Sequence, residues 1–577
     1  MLRHTIIEGK KISRDCDVNF DYTCEILVVG LGTAGAIAAI SAGKRGHDVI
    51  GVDISPIPGG VGTSACVWDY YYGARGGLYD EVNSRADSLI AAGYYMNTTH
   101  KGFKKSYPTT VKALALEEEL DAAGVRCFYS SIVTDVFTDG GKIVGAAFLS
   151  DRGMFTVGAE CVIDGAEGEV ARLAGIRDLG GRKYDNHTAR FSRTIGYYEG
   201  EGENRQVRGI WVFCGQFAGL DGAEASREIL RWTADPPILR DDYKGSKRLA
   251  ALGCETAKRE VFCYETEEVY TFRDYLDKNK TPGNIERELK HQENAIFYTF
   301  APLDNSTPEF WFEDEDFQDW QGLCDMHAYG YTTAVTPGML IAKGIPNLLL
   351  AGKHIGTGHT MSAGVRMRTD MEKCGEAAGV MASLAAEREI KASELNPAEL
   401  REILSKTKCY DKSNDRGVCD LNDADETGMC ATVKLPATVP ELRECLSSIH
   451  PAPGLFAVRT GVIKADDALV SWLSEGGLLS ENSAVALGLL GDNRCLPVLR
   501  EILSREPENY TYYSRKRYFF PWIYSTDLCN YVKAACLVSR FNDPADRALI
   551  EALAAYGGDS KKRQKAAGYA LVALGKK

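Results

Sequence analysis

Positions 25–29 read Glu-Ile-Leu-Val-Val, an almost unbroken apolar run that stops at Gly30. Such a run predicts a strand buried on both faces, as parallel sheets require. Small residues then dominate a helical segment over 34–43 (Ala36, Ala38, Ala39, Ala42), and 48–52 predicts a second strand, so the N-terminal pattern is a βαβ unit. A further helix is predicted from Pro108-Thr109-Thr110 through Val111, Leu116 and Leu120 to a stop at Gly124. Three strand-like runs come next, 127–136, 143–149 and 155–163, with Gly140-Gly141 marking the first turn. They predict an antiparallel β-meander that crosses back into the parallel sheet at 161–164.

From 186 to 335 this order is lost, and aromatic and charged residues such as Trp311, Phe312, Phe317 and Trp320 take over, which predicts an inserted α+β domain. The α/β pattern returns with Asn-Leu-Leu-Leu-Ala-Gly at 347–352 and an Ala/Gly-rich helix over 372–385. Beyond Asn396-Pro397, an N-cap and first helical residue, the pattern reads as wholly helical. Three segments there resemble one another, at 484–503, 534–553 and 566–571, which predicts a short HEAT-like stack. The expected division is a Rossmann-like α/β domain in two parts (1–185 and 336–392), the insert (186–335) and an all-α domain (393–577).

A chain of 577 residues has room for several such units. Its formal charge of −13 argues against nucleic acid, whose binders concentrate Lys and Arg on one face. No apolar run approaches the roughly 18 residues of a membrane span, and the first residues lack a signal-peptide core, so a cytoplasmic protein is expected. Seventeen cysteines occur without one Cys-x-x-Cys, so no metal site is expected and most should be reduced thiols.

Gly30-Leu31-Gly32-Thr33-Ala34-Gly35 is a G-x-G-x-x-G motif between predicted strand and helix, with Asp53 ending the next strand. Gly30 permits the tight turn, Gly32 admits a pyrophosphate, and Gly35 lets helix and strand pack. The helix N-terminus offers N–H groups to phosphate, and the Asp53 carboxylate accepts from ribose hydroxyls. NAD and FAD both use this fingerprint. A second glycine-rich loop, Gly59-Gly60-Val61-Gly62-Thr63-Ser64, suits the longer cofactor.

With these motifs the sequence resembles the FAD-dependent oxidoreductases of the two-dinucleotide-binding-domain superfamily, relatives of the fumarate reductase and succinate dehydrogenase flavoproteins. The resemblance rests on the fingerprint with Asp53, the Gly59-Gly60 loop, Val-Ile-Asp-Gly-Ala-Glu-Gly at 162–168 and the late segment 347–385. It implies non-covalent FAD, because relatives with covalent flavin carry a histidine where this chain has Thr63-Ser64. It further implies that Gly352 passes near the ribityl chain, that a helix starting around Gly375 points its N-terminus at the flavin pyrimidine, and that the backbone at Val133 meets adenine. The residues so assigned to the cofactor are Gly30, Gly32, Thr33, Ala34, Gly35, Asp53, Ile54, Gly59, Gly60, Thr63, Ser64, Val133, Asp164, Gly165, Gly352, Lys353, Gly375 and Ala378.

Around the flavin, the family geometry places 68–77 against the substrate, with Trp68, Tyr70, Tyr71 and Tyr72 as walls and Arg75 as an anion contact. His354 and His359 are candidates to take a substrate proton, since an ordinary imidazole titrates near neutrality; each is equally a structural hydrogen-bonding residue. Arg366 is a candidate flavin or substrate contact, or half of a buried ion pair. Arg259-Glu260, His327, Tyr329 and Tyr331 are weaker leads. The expected activity is hydride transfer between a small organic substrate (alcohol, sugar or organic acid) and FAD, with an unknown electron acceptor. The alternatives are an electron-transfer or scaffold subunit that docks a partner through its helical tail, and an NAD-dependent dehydrogenase.

Overall fold

The computed structural model describes residues 1–70, 72–93, 105–189, 191–199, 206–215, 227, 248–304, 309–424, 430–510 and 529–576. Its largest sheet has nine strands. Edge to edge they are Lys10–Asp15, Leu2–Ile7, Ile132–Asp139, Lys142–Ser150, Gly153–Asp164, Tyr22–Val29, Val49–Val52 and Arg126–Phe128, and Leu348–Leu350 also pairs with Gly153–Asp164. Five of these run parallel, from Leu348–Leu350 across to Arg126–Phe128. Ile26, Leu27 and Val28 at the centre are fully buried, as the apolar run requires.

The βαβ unit forms as expected, with the helix Thr33–Lys44 between Tyr22–Val29 and Val49–Val52. The strand Gly153–Asp164 pairs antiparallel with Lys142–Ser150 at its start and parallel with Tyr22–Val29 at its end, which is the expected crossing from meander to parallel sheet. The single run expected over 127–136 is corrected to two strands. Arg126–Phe128 closes the parallel sheet, the chain turns at Ser130, and Ile132–Asp139 joins the meander. The N-terminal hairpin Leu2–Ile7 and Lys10–Asp15 was not expected, because its largely exposed positions carry no apolar alternation.

The helix expected to start around Gly375 begins instead at Arg368 and runs to Arg388. Gly375 lies two turns inside it, where an added Cβ would stand 2.0 Å from Ala34 O. Together with Gly379 it lets this long helix lie directly on the helix Thr33–Lys44, and the Ser41 hydroxyl donates to Glu376 O at 3.1 Å.

A second sheet joins Phe297–Pro302, Tyr329–Val335, Val418–Ala424 and Cys430–Thr432 in that order. Its last two strands correct the expectation that everything beyond 393 is helical: Val418–Ala424 and Cys430–Thr432 extend the sheet begun by Phe297–Pro302 and Tyr329–Val335. Three further strands, Phe191–Glu199, Gln206–Gly215 and Arg248–Leu252, form a small antiparallel sheet.

From Val439 the described chain has only helices and turns. Gly477–Leu489 with Leu496–Ser504 and Asn530–Phe541 with Arg547–Ala554 are two helix pairs of similar length. The first pair is joined through a turn in which Asp492 accepts the Arg494 N–H, the second through one in which Asp543 accepts the Ala545 N–H. Asp319 anchors these helices to the rest, accepting from both Arg459 and Arg540 through its buried carboxylate. No described helix is long and apolar enough to cross a membrane.

Candidate cofactor and substrate site

Gly30 turns with φ +90, and added Cβ atoms on Gly35 and Gly165 would stand 1.7 and 2.4 Å from its carbonyl oxygen. These glycines exist to let three backbones interlock. Gly32 is different. Its φ of −67 suits any residue, and the nearest atom to an added Cβ is Gly165 O at 3.9 Å. Among the described residues nothing demands glycine there, whereas a pyrophosphate approaching the N-terminus of Thr33–Lys44 would.

The Gly59-Gly60 loop folds over this mouth. Gly59 N–H donates to Leu31 O at 2.8 Å, the Thr33 hydroxyl donates to Gly59 O at 3.2 Å, and a Cβ on Gly60 would come within 3.0 Å of Gly32 Cα. Thr63 and Ser64 hold the loop itself: Thr63 donates to Pro58 O at 2.6 Å, and Ser64 pairs with Ser55 through their hydroxyls. Asp53 is buried at the end of Val49–Val52 and accepts the Ser55 N–H at 2.6 Å. Burial pushes its carboxyl up to about 6, as expected of an acid that lacks a cation and is suited to accept from ribose hydroxyls. Ser131 N–H donates to Asp53 O at 2.9 Å, Val133 lies two residues further on in the meander opposite Phe148, and Ile54 is 64% exposed. The residues present therefore fit a dinucleotide at this mouth.

The late motif supplies the facing backbone. Asp164 accepts from Ala166, Gly168 and Ala171 N–H groups, so its carboxylate caps the helix Glu169–Ala174. Lys353 donates to Lys258 O at 2.7 Å and pairs with Glu167 at 2.8 Å. His354 donates through Nε2 to Asp164 O at 3.1 Å, and burial lowers its pKa, so the ring is neutral. It locks the Gly352 turn onto the end of Gly153–Asp164. Ala378 is wholly buried within the long helix.

His359 opens the helix His359–Val365, and the structure corrects its expected near-neutral titration. Its Nδ1 faces Glu260 Oε1 at 2.5 Å and its Nε2 faces Glu313 Oε2 at 2.8 Å. Burial opposes the charge, but the two carboxylates outweigh it and hold the imidazolium well above the ordinary range. Arg182 Nη1 lies 3.6 Å from Glu313, and Ala189 N–H donates to Glu260 at 2.6 Å. With both nitrogens donating, His359 is a fixed cation. At the other end of the same helix Arg366 pairs with Asp304 at 3.3 Å, and Arg259 pairs with the same carboxylate. Arg75 donates to the Tyr79 hydroxyl at 2.7 Å. Trp68, Tyr70 and Tyr72 are buried, Tyr71 lies outside the described residues, and His327 pairs with Asp325 at 2.7 Å.

Acids of the long helix were missed by sequence reasoning. Asp370 accepts from Ala74 N–H at 2.8 Å and Phe300 N–H at 3.1 Å, and Glu376 accepts from Leu78 N–H at 2.7 Å. They pin the segment after the Gly-Gly loop against the second sheet. The available signal was Asp370, Glu372, Lys373 and Glu376, charged residues close together in a helix otherwise rich in small and apolar ones.

A family model described as FAD dependent oxidoreductase matches residues 25–296 and 246–404. No curated protein matches. Among solved structures, a geranylgeranyl bacteriochlorophyll reductase-like protein from Thermoplasma acidophilum is 14% identical, covering 83% of this chain and 99% of its own, with a TM-score of 0.37. An aromatic hydroxylase from angucycline biosynthesis is 14% identical over 67% of this chain and 68% of its own, with a TM-score of 0.34. A flavin-dependent brominase is 11% identical over 67% and 84%, with a TM-score of 0.35.

Proposed function

The chain belongs to the FAD dependent oxidoreductase family, and we propose that it transfers a hydride between a small organic substrate, an alcohol, sugar or organic acid, and non-covalently held FAD. It is an enzyme and FAD is its cofactor. The observation that carries the binding mode is the clear mouth at Gly32, roofed by the Gly59-Gly60 loop and flanked by Asp53. When bound, FAD supplies the hydride-accepting centre. The N–H groups at the start of Thr33–Lys44 hold its pyrophosphate, and Asp53 accepts from its ribose. Thr63 and Ser64, committed to Pro58 and Ser55, shape the loop and offer no covalent link.

On this reading 1–185 and 336–392 make the FAD-binding domain, and 186–335 faces the substrate. His359, fixed between Glu260 and Glu313, orients the Gly358 turn and contributes positive charge. Arg366 and Arg75 remain the proposed contacts for an anionic or hydroxylated substrate. The tail, 393–577, carries a HEAT-like stack, supported by its matched Asp492 and Asp543 turns. A second reading is an electron-transfer subunit that docks a protein through that stack. A cytoplasmic setting is supported by free thiols at every cysteine whose side chain is described.

The test is to extract the cofactor from purified protein and then screen polyols, sugars and organic acids for anaerobic bleaching of the flavin. Bleaching by a small molecule alone supports the enzyme reading, and bleaching only with a partner protein supports the relay. Protein that is folded, colourless and takes up no FAD overturns both.

A further inference from the structure

Lys112, Arg368 and Glu372 meet in the interior between the helices Leu78–Ala91 and Thr109–Ala122 and the first turns of the long helix, only 1%, 7% and 2% exposed. Lys112 Nζ lies 3.5 Å from Glu372 Oε1 and donates to Asn83 Oδ1 at 2.9 Å. The Tyr70 hydroxyl donates to that same Glu372 oxygen at 3.1 Å. Rings of Tyr70, Tyr79 and Tyr107 surround the ammonium at 5.3, 5.8 and 5.9 Å. The Arg368 guanidinium stacks on Tyr70 at 3.8 Å and donates through Nη1 to Val67 O.

Glu372 is thus the partner of Lys112, and the Arg368 guanidinium is left over beside that pair. Among the described residues no carboxylate forms an ion pair with Arg368, and its buried Nη2 has no hydrogen-bond partner. Asp87, whose charge also reaches Lys112, is exposed to solvent. A guanidinium cannot shed its proton, so a buried one without a counter-charge costs stability unless an anion comes near it.

The glycine turn 60–62 lies between that charge and the fingerprint. An added Cβ on Gly62 would stand 3.2 Å from Arg368 Nη1, and Gly60, in the same turn, sits against Gly32 of the fingerprint. Arg368 is also the first residue of the long helix, so the positive end of the helix dipole adds to its charge. We propose that Arg368 raises the reduction potential of the bound flavin and stabilises the negative charge of its reduced form. It does so through its field across the Gly60–Gly62 turn, without touching the cofactor. The inference rests on the reading that FAD binds at this mouth.

The experiment uses the full-length, FAD-loaded protein with Arg368→Gln, Arg368→Lys and Glu372→Gln, all at pH 8.5. Two spectroscopic readouts are taken: the midpoint potential by dye equilibration, and the affinity for sulfite, whose addition to the flavin places negative charge on the ring. Arg368→Gln is expected to keep FAD, bind sulfite at least tenfold more weakly and lower the potential by about 30 mV, the tenfold equivalent for a two-electron couple. Arg368→Lys is expected to stay within threefold of the parent. Glu372→Gln, which removes the carboxylate paired with Lys112 and its field on Arg368, is expected to shift both readouts in the opposite direction, a reversal that simple loosening of the fold would not produce. Unchanged readouts in Arg368→Gln, or shifts of the same sign in Arg368→Gln and Glu372→Gln, overturn the proposal. Loss of FAD from Arg368→Gln with an unchanged potential in the remainder also overturns it. A parent protein that holds no FAD instead sinks the underlying reading.

Discussion

The carboxylate of Asp370 accepts the backbone N–H of Ala74 at 2.8 Å, tying the first turn of the long helix to the segment that follows the Gly-Gly loop. Its other oxygen accepts from Phe300, so one side chain joins three elements. Burial pushes this carboxyl from 3.8 up to about 7, and the folded chain therefore holds the proton more tightly than the unfolded chain. Its contribution to stability is greatest below pH 3.8 and is lost as the pH rises towards about 7. Asp370→Asn cannot accept from both amides, so it should destabilise by about 1–3 kcal/mol. Urea midpoints at pH 5 and pH 8 should show the larger loss at pH 5, and an equal loss at both would contradict the shifted titration.

Gly32 and Gly35 should separate binding from folding. In Gly32→Ala the new methyl meets no atom closer than 3.9 Å, so the melting curve of the apoprotein should change by no more than about 0.5 kcal/mol. FAD retention should nevertheless fall more than tenfold, as read by the flavin-to-protein absorbance ratio. Gly35→Ala sets its Cβ 1.7 Å from Gly30 O and should unfold the domain.

His359 should stay charged across the physiological range. The imidazolium's stabilising contribution is complete below its unfolded value of 6.5 and is lost only as the pH rises through a folded value well above that. Its ring proton resonances should not titrate between pH 5.5 and 8. His359→Gln takes the shared cation from buried Glu260 and Glu313, leaving Glu313 with Arg182, and a loss of about 3–5 kcal/mol is expected in denaturant melts.

Release of the cofactor gives a simple check on its attachment. Acid precipitation should leave all yellow colour in the supernatant, since Thr63 and Ser64 are hydrogen-bonded within their loop. Flavin that travels with the pellet would refute non-covalent binding.

The parts legible in the chain were those that local chemistry dictates. The Glu25–Val29 run, the fingerprint glycines and Asp53 announce their strand, turn and helix, because apolar period and glycine content act over a few residues. Polar edges were not legible: Leu2–Ile7 and Val418–Ala424 become strands because partners at Ile132–Asp139 and Tyr329–Val335 lend them hydrogen bonds. The charge on His359 was equally hidden. Its two carboxylates come from positions 260 and 313, far along the chain, and only folding brings them to its nitrogens. Asp370, Glu372 and Arg368 belong to the same class, since a charged residue on a helix reads as solvated until tertiary packing removes the water around it. Local pattern thus decided where a dinucleotide could enter, and long-range burial decided which side chains hold charge around it, because protonation depends on neighbours that sequence spacing does not record.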